Sequence, residues 1–600
     1  MNFILPRKYA TLNCIASLLF TLFFFISCKK SMDAGIDPNT MPPDLLTKVT
    51  SSISGFVTGE NDAALAGATV KVGTAYTITD HYGYFEIKTV QVVKEAATVA
   101  VSYPGYFKGI KTYLAIEGKA AFFRIKLLRK TIAGSINASS GGNVTLPNGL
   151  NIFLPADAVK NAATGSAYSG TVNVSAQWID PTSAELNKIM PGDLRGINTA
   201  GLLKGLTTYG MLAVELTGSS GELLQIADGK RSTITMPVPA SLLSTAPSTI
   251  PLWYFDETTG LWKEEGTATR TGNNYVGEVS HFSFWNCDVP GSYVQFDCTV
   301  KDQAGNPIPQ ALVKITDITT SQSRFGYTDA AGFVSGAVPD NAQLKLDILI
   351  NQNCGLSTYT QNFTTTNINV SLGVITINFA LGTATVSGSV TDCFNNPVTN
   401  GYIILSENNQ YYRYPVSNTG AFSFVKLLCN NTSNVTLVAE DVNGLQVSNV
   451  INQTLVPGPN TIGNMQACGI STQEFVTHTV NGGAPITYTS PTDSIDHVSS
   501  GINNQNFIHA DRFNFGFIQF TFSNNNISGG STQNLISFLS SQSTGPYTIS
   551  SIPMPINVNI TEYGAVGQFI SGNFSGLITT NPILPNFYNV TCSFRVRRTF

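Results

Sequence analysis

The chain has 600 residues, a net charge of −4 at pH 7, 42% hydrophobic residues and 10% aromatic ones. That apolar content is ample for packed cores and excludes global disorder, and the lack of a basic excess argues against nucleic-acid binding. Charged residues make up only 12%, about half the usual share; Thr, Ser, Asn and Gly replace them, the palette of strand faces and tight turns.

At the amino terminus Arg7 and Lys8 precede an apolar run from Leu12 to Ile26. This is the length of a signal-peptide core and falls short of the roughly 20 apolar residues of a membrane-spanning helix. The run ends in Phe25-Ile26-Ser27-Cys28, which resembles the lipobox of bacterial lipoproteins, although Phe25 stands where Leu is commoner. The resemblance implies a signal peptide over 1–27, cleavage before Cys28, and diacylglycerol on the Cys28 thiol. Two or three acyl chains at ~0.8 kcal/mol per buried methylene anchor a protein stably. Residues 28–50 then read as a lipidated tether, polar and broken by Pro38, Pro42 and Pro43. The expected location is the outer membrane, facing outward, with the membrane as a partner through the anchor.

Three later segments share a spacing. The first has Gly55-Phe56-Val57, Gly67-Ala68, Val70, Thr79-Asp80 and Gly83-Tyr84-Phe85; the second has Cys298-Thr299-Val300, Ala311, Val313, Thr328-Asp329 and Gly332-Phe333. The third has Gly388-Ser389-Val390, Gly401, Ile403 and Gly420-Ala421-Phe422, with Asn418-Thr419 in place of Thr-Asp. The first valine and the later apolar residue lie 13 apart in each copy: Val57 to Val70, Val300 to Val313, Val390 to Ile403. Such a recurrence reads as strand, turn, strand, then a second turn into a strand whose Phe enters the core. The pattern resembles the carboxypeptidase regulatory-like module, a small transthyretin-like β-sandwich common in Bacteroidetes surface proteins, which is an accessory without an active site. The copies are placed at 51–130, 293–380 and 384–470.

Between the first and second copies, residues 131–290 differ. Thr171-Val172-Asn173-Val174-Ser175-Ala176 alternates as a half-buried strand does. Leu154-Pro155-Ala156-Asp157, Met190-Pro191-Gly192-Asp193, Leu252-Trp253-Tyr254-Phe255-Asp256 and His281-Phe282-Ser283-Phe284-Trp285 follow in order. The series resembles the β-rich domain of cartilage intermediate layer protein and related surface proteins. Residues 471–600 form a last β domain, with alternation over Phe517–Phe522 and Ile556–Ile560. The whole predicts an all-β fold, tandem β-sandwich modules (transthyretin-like or immunoglobulin-like) in one elongated multidomain chain.

Chemistry-bearing constellations are scarce. The five histidines stand in no zinc-ligand spacing, and the cysteines show no C-x-x-C. His281, Ser283 and Asp256 suggest a triad only on paper, since no nucleophile elbow accompanies them. Turns such as Glu60-Asn61-Asp62 lack the dense acid pattern of a calcium loop. No metal and no cofactor is expected, and the chain is read as a non-enzyme. Trp253, Tyr254, Trp262 and Trp285 are read first as core; the alternative is a ligand-facing set that stacks on sugars. Seven cysteines lie from Cys287 onward. Their connectivity is not written in the sequence, and pairing within modules would join Cys298 to Cys354 and Cys393 to Cys429.

The expected function is structural, adhesive or ligand-binding display of β-modules at the cell surface, with surface glycans or other envelope proteins as partners. The alternative is a carbohydrate- or peptide-binding accessory lipoprotein of a nutrient uptake system, and a more distant one an unrecognised hydrolase.

Overall fold

The structure is a computed structural model. It describes residues 41–355, 357–378, 382–490, 493–500, 505–512, 516–524, 527–542, 555–564, 569–579 and 587–598. Cys28 and the signal and tether residues up to 40 lie outside them. The regular structure of the described residues is almost entirely strand, with one four-residue α-helix, Leu186–Ile189, and short 3-10 turns. No helix among the described residues is long and apolar enough to cross a membrane.

The three repeat copies fold with one topology. In the first, Lys48–Thr58 sits between Tyr84–Val93 (antiparallel) and Ala120–Lys126 (parallel). A second sheet, Ala75–Ile78, Thr69–Val72, Ala97–Ser102 and Gly109–Tyr113, packs on it. The second copy repeats this with Tyr293–Asp302 between Phe333–Pro339 and Val370–Ile377. The third uses Thr383–Thr391 between Ala421–Leu427 and Gly458–Gln466. In every copy the central strand thus has one antiparallel and one parallel neighbour, and the apolar side chains of two sheets meet in one core.

The repeated sequence signature explains the shared turn. Gly83, Gly332 and Gly420 have φ of +73°, +75° and +76°, the left-handed region open to glycine. A Cβ on each would collide with the carbonyl of Val57, Val300 or Val390. The same three valines donate their backbone N–H to the three glycine carbonyls at 2.8 Å. Three residues before each glycine an oxygen caps the turn. Asp80 accepts from the N–H groups of Tyr82 and Tyr84, and Asp329 from those of Ala331 and Phe333. In the third copy Ser417 accepts from Thr419 and Ala421. The counterpart of Thr-Asp there is therefore Val416-Ser417, not Asn418-Thr419. The residue reaching the core also shifts: Phe85 and Phe422 are buried two positions after the glycine, and in the second copy Val334 holds that place. Phe333, one position earlier, lies beneath the Lys119 ammonium.

Residues 131–290 form a network of thirteen strands. Its longest strand, Leu203–Thr217, runs beside Thr171–Ile179 on one flank and Phe284–Gly291 on the other. One core carries Val172, Leu212, Ile250 and Trp285. A second carries Trp253, Phe255 and Trp262, together with Phe107 and Ile110 of the first module.

The carboxy-terminal domain is a nine-stranded antiparallel meander. Phe475–Val480 pairs with the last strand, Phe587–Arg597, so the sheet curls back on itself. Its two edges, Ile486–Thr489 and Ser494–Ser500, are successive in the chain. Phe520, Phe522, Phe538, Phe574 and Phe594 fill the interior.

Units distant in sequence are also packed together. Tyr327 of the second module pairs with Phe122 of the first, which joins four strands of one to three of the other in a single sheet. The Arg124 guanidinium donates to the Tyr411 carbonyl of the third module at 2.9 Å. Arg413 of the third module is paired with Glu440 at 2.8 Å and lies over the Tyr84 ring of the first at 4.1 Å. The tandem modules are folded about the first one, with contacts beyond those between sequence neighbours.

Candidate functional site: the clamped module junctions

The aromatic cluster is core on both sides of its sheet. Trp253, Trp262 and Trp285 are each 0% exposed, and the Trp253 and Trp285 indole N–H groups donate to the carbonyls of Asp288 and His281. Alternation along Thr249–Asp256 sends Trp253 and Phe255 to one core and Leu252 and Tyr254 toward the other. Tyr254, half-buried, packs edge-on against His281. Contrary to the ligand-facing alternative, Trp253, Trp262 and Trp285 have no ring face open to a sugar.

The paper triad does not assemble. His281 Nε2 lies 4.0 Å from Glu265, the Ser283 hydroxyl donates to the Phe284 carbonyl, and Asp256 pairs with Lys263 at 2.6 Å. Burial lowers the pKa of His281, which keeps the ring neutral. The acidic turn is likewise occupied. Asp62 lies 3.3 Å from Lys126 and 3.6 Å from Lys188, and Glu60 lies 3.4 Å from Arg129. No group of three or more His, Cys, Asp or Glu side chains among the described residues is placed to hold a metal.

The cysteines pair differently from the expectation. Disulfides join Cys354 to Cys429 and Cys393 to Cys468. Register explains both departures. Thr391 lies opposite Gln466 in a parallel ladder, so Cys393 and Cys468, each two residues further on, meet. Cys429 lies two residues after Leu427, which pairs with Thr383 at the other end of that strand, roughly 26 Å away at 3.3 Å per residue. Cys298 cannot reach Cys354 because its side chain points into the second module's core, where it is a free thiol.

Cys354–Cys429 consequently crosses from the second module to the third. Beside it lies a buried ion pair. Lys426 Nζ is 2.7 Å from Glu407 Oε2, and both side chains are under a tenth exposed. Asn351 of the second module donates from Nδ2 to Glu407 at 3.2 Å and to the Leu427 carbonyl at 3.0 Å. Ser433 donates to the other Glu407 oxygen. A buried carboxylate needs such partners to offset its desolvation. Sequence gave no signal for this cluster, since Asn351, Glu407 and Lys426 converge only through strand register.

The junction of the first module with the domain at 131–290 is also polar and buried. Lys111 donates its ammonium to the carbonyls of Asn187 and Met190 at 3.0 and 2.7 Å, and burial pulls its pKa down to about 7. Asn187 Nδ2 meets the Tyr327 hydroxyl of the second module at 2.6 Å. A cavity of about 140 Å³ opens here among Lys111, Phe123, Asp193, Phe325 and Phe333.

No family model matches the chain. Over 233 residues it is 28% identical to cartilage intermediate layer protein 2 of Mus musculus, covering 36% of this chain and 20% of that protein. Cartilage intermediate layer protein 1 of Homo sapiens is 25% identical over 228 residues, 35% of this chain and 19% of that protein. The chain thus spans about a fifth of the length of these curated relatives. Among solved structures, the Bacillus anthracis TIE protein is 10% identical with a TM-score of 0.15, covering 70% of this chain and 51% of that one. The shaft pilin SpaA of Lactobacillus rhamnosus GG is 12% identical with a TM-score of 0.17, covering 30% and 98%. The chain is similar in sequence, over about a third of its length, to cartilage intermediate layer proteins.

Proposed function

We propose that this is a non-catalytic, lipid-anchored scaffold protein of a bacterial cell envelope, which holds its carboxy-terminal β domain away from the membrane for structural or adhesive contacts. The observation that carries this reading is the junction between the second and third modules, closed at once by Cys354–Cys429 and by the buried Asn351–Glu407–Lys426 cluster. Two such fastenings at one junction resist shear, which a display scaffold must do and a flexibly linked enzyme need not. Disulfides persist in oxidising compartments, in keeping with export. The similarity to cartilage intermediate layer proteins supports a structural role.

The anchor rests on the Phe25-Ile26-Ser27-Cys28 sequence. Its test is fractionation of cells producing the native chain and the Cys28→Ala variant. The native chain is expected in the detergent phase with an acylated Cys28 peptide, and the variant is expected to leave the membrane. Equal partition of the two would contradict the anchor.

A further inference from the structure

The carboxy-terminal domain presents an outer sheet face with two rows of uncharged polar side chains. Thr487, Thr477, Ser593, Asn573, Asn559 and Thr532 lie opposite one another across six successive strands. A second row, one side-chain repeat along, holds Thr479, Thr591, Ser575, Asn557 and Asn534. All are exposed or half-buried, and every one is a hydroxyl or a carboxamide. On the opposite side of the same strands Val476, Phe574, Val558 and Phe594 belong to the core, so the face is fixed by a packed sheet rather than carried on loops. A depression of about 760 Å³ lies over it, walled by Pro555 and Leu577.

The chemistry of this grid selects its partner. Hydroxyls and carboxamides donate and accept alike, whereas a charged ligand would need an opposite charge to repay its desolvation; neither row contains one, and Arg595, one repeat further along the same face, is already paired with Glu562 at 3.0 Å. The Thr477–Thr487 and Thr479–Thr591 hydroxyl pairs, at 2.9 and 2.6 Å, hold side chains in place before any ligand arrives. Regular spacing, about 4.8 Å between strands, suits a ligand that repeats its own hydroxyls along a chain. We propose that this face binds an uncharged polysaccharide. The inference rests on the adhesive reading above and deepens it: the sugar contacts move from the buried indoles to the hydroxyl and carboxamide rows of the last domain.

The test uses the chain from Cys28 onward, purified in detergent, and affinity electrophoresis in mixed-linkage β-glucan, galactomannan and amylose, with pull-down on cellulose. Polygalacturonate and chondroitin sulfate serve as charged comparators. Retention by at least one neutral glycan is expected, with an affinity loss of roughly tenfold or more in N559A/N573A/S575A and in Ser575→Glu, while Asn464→Ala in the third module retains binding. These positions are exposed, and unchanged hydrogen exchange of the core strands certifies each variant's fold. No retention by any of the neutral glycans would overturn the proposal, as would retention indifferent to the substitutions or stronger on the charged polymers. Self-association abolished by the same substitutions would overturn it too, since a second copy would then be the occupant. Failure here leaves the anchor and scaffold reading standing, because that reading is decided on cells and this one on the purified chain.

Discussion

Asp329 and Gly332 show how a few atoms fix a module. The carboxylate accepts two backbone N–H groups and the glycine passes its carbonyl to Val300. Removing the acceptor in Asp329→Ala is expected to cost about 1–3 kcal/mol, and Gly332→Ala at least as much, because its Cβ meets backbone. Denaturant unfolding checks both; a change below about 0.5 kcal/mol, the range of ordinary surface substitutions, would contradict the turn's role. Two histidines give the last domain a pH dependence. His478, bonded to Ser540 across the interior, and His497, bonded to Asn506, are buried. Burial, first of all, lowers both to about 4, against about 6.5 in an unfolded chain. The unfolded state then binds more protons as pH falls below 6.5, so stability is present above that pH and lost progressively toward 4. Protection of peptides covering 475–480 and 494–498, taken relative to the intrinsic exchange rate at each pH, should fall over that window, and the H478Q/H497Q chain should lose much of the effect. A flat response in the native chain would sink the assignment.

At the scale of elements, the sandwich modules were legible because the first valine and an apolar residue 13 positions on recur in each copy, ahead of a turn glycine. The all-β class followed from the same alternation and is what the sheets display. Aromatic placement was legible too: a strand that alternates Leu252, Trp253, Tyr254, Phe255 between two cores buries its indoles. What no one-dimensional pattern could supply was the pairing of strands far apart in sequence. Cys393 meets Cys468 because a parallel ladder sets Thr391 beside Gln466, and Lys426 meets Glu407 across two sheets of one sandwich. Non-reducing peptide mapping is expected to recover Cys354 with Cys429 and Cys393 with Cys468, leaving Cys287, Cys298 and Cys592 as thiols. Cys298 in any disulfide would contradict the packing of the second module. Lys426→Met, which strands a buried carboxylate, is expected to cost about 3–5 kcal/mol, read as earlier unfolding of the third module.

For the whole molecule, the first module is a hub. Its Arg124 reaches the third module, its Phe122 meets the second, and its Lys111 is embedded in the domain at 131–290. Chain order predicts a row of modules; the buried polar contacts that gather them are carried by single Arg, Lys and Asn residues with no periodic signature. In this assembly the hydroxyl and carboxamide rows of the last domain stay exposed or half-buried. The measurement that tests outward display most directly is protease shaving of intact cells, with mass spectrometry of the released peptides and of the Cys28 peptide left in the membrane. The account predicts release of β-module peptides from whole cells, with an acylated Cys28 retained. Complete protection until the outer membrane is broken would contradict outward display and make the protein a periplasmic scaffold.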